Sequence, residues 1–230
     1  IQQQKLKGLY LSNDEYLPCE HAVLAVGHSA RDTFETLYEQ VKTFFSLPKA
    51  TKKQCEIEGL AGQRGCTSFG KEHAKGSDAP DLKEFYQWGQ TVRGEELTKD
   101  HYPDNVMVRD LPAFNEVIQK AYRSFEESGK YLLQAIAIYL GLDEHYFDPK
   151  IHNGNSILRA IHYPPITEEP KNAIRAEQHE DINLITLLVG ASADGLELLD
   201  KENVWLPINA GPGEIVVNVG DMLQRLTNNK

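Results

Sequence analysis

His179-Glu180-Asp181-Ile182-Asn183-Leu184-Ile185-Thr186-Leu187-Leu188-Val189 sets a histidine and a carboxylate two residues apart, directly ahead of an apolar run. In an extended strand residues i and i+2 project to one face, so the His179 imidazole and the Asp181 carboxylate can converge on a single metal ion while Glu180 points away. Such a pair supplies two ligands of a site that needs a third. His179 is itself the last of eight histidines, so none follows it before Lys230.

Working outward from this stretch, residues 182–189 read as a strand, and so do residues 157–163 upstream, which Pro164-Pro165 stop. Downstream, residues 196–199 and 204–207 form a hairpin pattern around Asp200-Lys201-Glu202-Asn203. Gly211-Pro212-Gly213 then turns the chain into a fifth strand, 214–219. Short antiparallel strands at this spacing argue for a sandwich, barrel or jelly roll. The character changes after Asn155, which divides the chain into a helical and irregular region, 1–154, packing on a strand-rich core, 155–230.

Within the first region, residues 1–30 carry no sustained period. From Arg31 the apolar positions Phe34, Leu37, Val41, Phe44 and Phe45 recur at helical spacing, with Asp32 or Thr33 as cap and Pro48 as terminator. The glycine-rich stretch 59–76 reads as an exposed loop. The longest apolar stripe runs from 111 to 142, with Pro112 in its first turn, Gly129 as a bend and Gly141 as its close. A short helical segment over 143–148 follows, ended by Pro149 and an Asn153-Gly154 turn.

Composition narrows the class of protein. The 34 acidic side chains exceed the 24 basic ones, a formal charge of -10 that repels phosphate backbones, and no basic patch offsets it, so no nucleic-acid partner is expected. Cys19, Cys55 and Cys66 are odd in number and form no C-x-x-C, which fits neither a disulfide framework nor a zinc knuckle and points to a reducing, cytoplasmic setting. No apolar run approaches the ~20 residues of a membrane span, so no membrane association is expected.

Five blocks in order carry a family likeness: Arg175-Ala176-Glu177-Gln178-His179-Glu180-Asp181 with Ile185-Thr186-Leu187-Leu188; Gly195-Leu196-Glu197-Leu198; Trp205-Leu206-Pro207-Ile208; and residues 217–229. Together with Leu158-Arg159-Ala160-Ile161-His162-Tyr163-Pro164-Pro165 and residues 81–89, they resemble the iron(II)/2-oxoglutarate-dependent oxygenases of the isopenicillin N synthase-like branch over roughly 31–230. The resemblance implies a mainly β core, a double-stranded β-helix (jelly roll) with flanking N-terminal helices. It implies an Fe(II) held by His179 and Asp181 as two members of a 2-His-1-carboxylate triad, which leaves positions for a bidentate 2-oxo acid and dioxygen. The family places its third histidine, and an arginine and serine that hold 2-oxoglutarate, past the position of Lys230. A jelly roll incomplete at its C-terminus is therefore the expectation.

The implied activity is oxidation of a small organic substrate with release of succinate and CO2. Two alternatives stand beside it: a non-catalytic or truncated member with an incomplete metal site, and an oxygenase of the same fold that uses no 2-oxo acid. Tyr163 resembles the tyrosine that contacts the 2-oxo acid, or packs at the edge of the roll. Arg159 shares its strand face and either counters a carboxylate of the cosubstrate or forms a structural ion pair. Ile161 stands where the family often carries asparagine. Asp221 reads as the cap of a turn over 222–226, and Phe85, Tyr86 and Trp88 as core or pocket aromatics, with Arg64 and Gln87 nearby as polar contacts.

Overall fold

The computed structural model describes residues 9–10, 16–17, 24–25, 28–60, 62–72, 80–92, 103–167, 175–176, 178–189, 195–200, 202–208 and 214–228, with side chains from Thr33 onward. In chain order the elements are β1 (Leu9–Tyr10), β2 (Tyr16–Leu17), β3 (Leu24–Ala25), α1 (His28–Phe45), α2 (Lys49–Lys53), β4 (Gly65–Thr67), β5 (Glu84–Gly89), α3 (Pro112–Tyr139), α4 (Asp148–Ile151) and β6 (Ile157–His162). Then come β7 (Ile185–Val189), β8 (Glu197–Leu199), β9 (Trp205–Pro207), β10 (Glu214–Val219) and α5 (Asp221–Leu226). The chain is a mixed helix and sheet protein, and its described strands close no barrel. It divides into two compact units, residues 32–179 and residues 1–31 with 180–230.

The unit 32–179 is built on the antiparallel sheet β4-β5-β6. β5 lies in the middle, with Tyr86 opposite Cys66 on one side and Ala160 on the other. All six of its residues are buried. Alternation sends Tyr86 and Trp88 into a cluster with Phe44, Phe114, Ile118 and Val108, so these aromatics are core rather than pocket. Phe44 stacks on Phe114 at 4.9 Å and meets Tyr86 edge-on at 5.0 Å. Burying each such ring stabilises the fold by about 1.5–3 kcal/mol.

The helices follow from their apolar stripes. α1 begins at His28, so Asp32 and Thr33 lie inside it rather than ahead of its first residue; Pro48 instead precedes the first turn of α2. α3 is continuous over 28 residues and closes as its sequence predicts. Gly141 has a φ of +70°, its N–H donates to Ile138 O at 3.0 Å, and Leu142 N donates to Ala137 O at 2.9 Å, a left-handed cap that a side chain would strain. α4 starts at Asp148, with Pro149 in its first turn, where a missing N–H costs nothing.

The expected exposed loop over 59–76 is corrected. Gly65–Thr67 pair with β5, and Arg64 and Cys66 are buried. Gly65 permits this: at φ +77°, a Cβ there would sit 2.1 Å from Cys55 O.

In the other unit β10 pairs antiparallel with β3 and β7, in the register Ile215↔Val189 to Val219↔Ile185, while β8 and β9 form the expected hairpin. Asp200 Oδ1 accepts from the N–H groups of Glu202 (2.9 Å) and Val204 (2.8 Å), which shapes that turn. β7 starts at Ile185 rather than 182. The carbonyls of Asn183 and Leu184 are taken by the N–H groups of Met222 and Gly220, at 3.1 and 3.0 Å, so this part of the chain joins the β10–α5 turn instead of the ladder. Asp221 is the first residue of α5, which no side chain caps. Among the described residues, no helix is long and apolar enough to cross a membrane.

Candidate active site

His179 and Asp181 lie on the irregular lead-in to β7, not in a strand, so strand alternation does not orient them. Other bonds hold Asp181. Its carbonyl accepts from Asp221 N at 2.8 Å, and its Oδ2 accepts from the Thr186 hydroxyl at 2.6 Å. Thr186 Oγ1 in turn accepts from Asn183 Nδ2 at 2.8 Å. The carboxylate is half-buried and the imidazole of His179 is exposed. Among the described residues, no three His, Cys, Asp or Glu side chains gather as a metal cluster.

Within residues 32–179 the structure brings Arg159 and Tyr163 into one charged group. Lys83 Nζ bonds Asp81 Oδ2 and Glu72 Oε2, each at 2.7 Å, and Arg159 Nη1 lies 3.2 Å from Glu72 Oε1. Arg159 also sits 4.3 Å over the Phe85 ring. In the amide orientation that satisfies both ends, Gln87 donates to Gly62 O and accepts from Arg159 Nη2, both at 2.9 Å. The cation of Arg159 is thus balanced by Glu72. Burial raises the Tyr163 phenol above its ordinary pKa, with Lys83 and Arg159 opposing that and Asp81 and Glu72 adding to it. Tyr163 therefore stays a protonated donor at neutral pH.

Two arrangements escaped the sequence reading. Lys52 Nζ bonds both oxygens of Glu84 at 2.8 Å, and His162 Nδ1 lies 2.9 Å from Glu84 Oε1, its ring stacked on Phe45 at 5.0 Å. Lys52 and Glu84 are 32 positions apart, and nothing local announces the pair. The other is the chain from Asn183 through Thr186 to Asp181, which did have a signal: two polar residues interrupting an apolar run.

The signature of the 2OG-Fe(II) oxygenase superfamily matches residues 154–230, and that of the non-haem dioxygenase N-terminal region, described from morphine synthesis, matches residues 23–110. A crystal structure of a 2OG-Fe(II) oxygenase family protein from Caulobacter crescentus is 44% identical to this chain, with a TM-score of 0.79 over 90% of it and 67% of that protein. The chain belongs to the 2OG-Fe(II) oxygenase superfamily. This superfamily uses Fe(II) and 2-oxoglutarate.

Other members agree. A full-length protein of Neurospora crassa, crystallised with alpha-KG and thymine, is 27% identical with a TM-score of 0.74 over 90% of this chain and 65% of its own. The 2-oxoglutarate-Fe(II) type oxidoreductase ppzD of Metarhizium rileyi is 31% identical over 216 residues, which cover 86% of this chain and 60% of that protein. This oxygenase-family chain spans about 60% of the length of the curated relatives it matches.

Proposed function

We propose that this chain serves an Fe(II)- and 2-oxoglutarate-dependent dioxygenase that oxidises a small organic substrate with dioxygen and releases succinate and CO2. The observation that carries the reading is the Asp181 carboxylate, oriented by a side-chain hydrogen bond and two residues from an exposed imidazole. Imidazole nitrogen and carboxylate oxygen are the donor types that suit non-haem Fe(II), so the residues present fit the metal. Bound Fe(II) and 2-oxoglutarate supply the oxidising chemistry. His179 and Asp181 would hold the metal, with Thr186 restraining the carboxylate. Tyr163 would offer its O–H to the 2-oxo acid, and Arg159, shared with Glu72, would set the potential around that phenol.

The jelly-roll form of the core is part of the proposal, supported by the likeness to oxygenase crystal structures. So is the division into 1–154 and 155–230, which family signatures ending at 110 and beginning at 154 support. Thymine in the Neurospora crassa structure favours a substrate of small-molecule size. Free thiols at Cys55 and Cys66 favour a cytoplasmic setting.

Adding 2-oxoglutarate to the Fe(II)-loaded intact protein under anaerobic conditions should produce the weak visible charge-transfer band of the chelate, and Asp181→Ala should abolish it. No band at saturating 2-oxoglutarate would point instead to an oxygenase that uses no 2-oxo acid. A full band in Asp181→Ala would overturn the ligand assignment.

A further inference from the structure

We infer that Asn183 and Thr186 form a hydrogen-bond relay whose purpose is to position the Asp181 carboxylate for its metal. The inference rests on the reading of His179 and Asp181 as ligands. The polarity of the relay is forced by chemistry. An ionised carboxylate only accepts, so the single hydroxyl proton of Thr186 goes to Asp181 Oδ2, and Thr186 Oγ1 must accept in turn from the Asn183 amide nitrogen. One carboxylate oxygen is thereby committed to Thr186, and this fixes the rotation of the group about its Cβ–Cγ bond. A hydrogen bond to an ionised acceptor at 2.6 Å belongs to the strong, charge-assisted class.

Backbone bonds pin the relay. Thr186 is held in β7 opposite Asn218 of β10. The carbonyls of Asp181 and Asn183 are bound by the N–H groups of Asp221 and Met222 at 2.8 and 3.1 Å. Gly220 makes room between them: a Cβ at that position would lie 2.2 Å from Asn183 O and 2.4 Å from Asn183 Oδ1. The β10–α5 turn therefore serves as a template for Asn183. Asn183 orients Thr186, and Thr186 orients the carboxylate. Where a ligand lies outside a strand, outer hydrogen bonds of this kind supply the preorganisation that the backbone does not.

The test uses Co(II) as probe, with affinity from calorimetry, coordination from the visible spectrum and folding from thermal melts, on the intact protein without 2-oxo acid. Thr186→Val keeps the shape and removes the hydroxyl; it should weaken Co(II) binding about 10- to 100-fold and alter the visible band. Thr186→Ser should restore both, a rescue that packing alone would not give. Asn183→Ala, at an exposed side chain, should show a smaller loss in the same direction with an unchanged melt, and it carries the test if the valine variant fails to fold. Wild-type affinity in the folded Thr186→Val or in Asn183→Ala, with binding lost in Asp181→Ala, would overturn the relay and leave the ligand assignment standing. Wild-type affinity in Asp181→Ala would instead remove the reading on which the relay rests.

Discussion

β5 in one unit and β7 in the other are both short antiparallel strands, yet every residue of β5 is buried and no residue of β7 is. Around β5, aromatic rings from α1 and α3 close over one face, and its charge is buried only in paired form, as Glu84 with Lys52. Among the described side chains of β7 and β10, Ile215 alone is buried, and β8 and β9 are exposed along their length. Packing fixes the first region. Hydrogen bonds fix the second, where a strand hydroxyl, an amide and a glycine turn set the position of one carboxylate. Rigidity from packing is spread over many contacts, whereas rigidity from a hydrogen-bond relay resides in a few atoms.

Substitutions can break this contrast. Phe44→Ala, in the fully buried ring cluster, should destabilise the protein by about 3–5 kcal/mol, read as a lower urea midpoint at unchanged slope. Gly220→Ala should cost about 1–3 kcal/mol through its collision with the Asn183 carbonyl, and should disturb the Asn183–Thr186 bond as well. A neutral Gly220→Ala would show that the turn yields freely and templates nothing.

The thiol of Cys66 gives a pH test of the packed region. Burial, with the Glu84 charge adding, pushes its pKa from 9.0 up to about 12. The folded state therefore keeps a proton that the unfolded chain gives up at lower pH. The contribution is intact below the ordinary thiol pKa and is lost as pH rises toward 12, about 1 kcal/mol by pH 10. Urea midpoints from pH 7 to 10 should fall less steeply in Cys66→Ala than in the wild type; equal slopes would mean that water reaches the thiol. The smallest effect belongs to Trp205→Ala, at a 45% exposed side chain in β9, which should cost less than about 1 kcal/mol by the same melts. A loss matching Phe44→Ala would erase the contrast between the regions.

Much of this was legible because it is local. The 3.6-residue stripes announced α1 and α3, Gly141 announced a helix end, and alternating or apolar runs announced β6, β7, the β8–β9 hairpin and β10. The H-x-D spacing marked the candidate ligands, although its supposed strand geometry was replaced by bonds to the β10–α5 turn. β4 was hidden because three residues among glycines carry too little pattern, and its register comes from β5, about twenty residues on. Arg159 could not be assigned from its strand face, since its partners Glu72 and Gln87 come from elsewhere in the chain. The Asn183–Thr186 relay lay in plain view as polar breaks in a hydrophobic run, but its direction needed atoms.

The central claim is tested most directly by succinate. Supplied with Fe(II), dioxygen and 2-oxoglutarate, the intact protein should release succinate, and His179→Ala and Asp181→Ala, melting as the wild type does, should each abolish the release. Iron-dependent succinate formation that survives both substitutions would contradict the account.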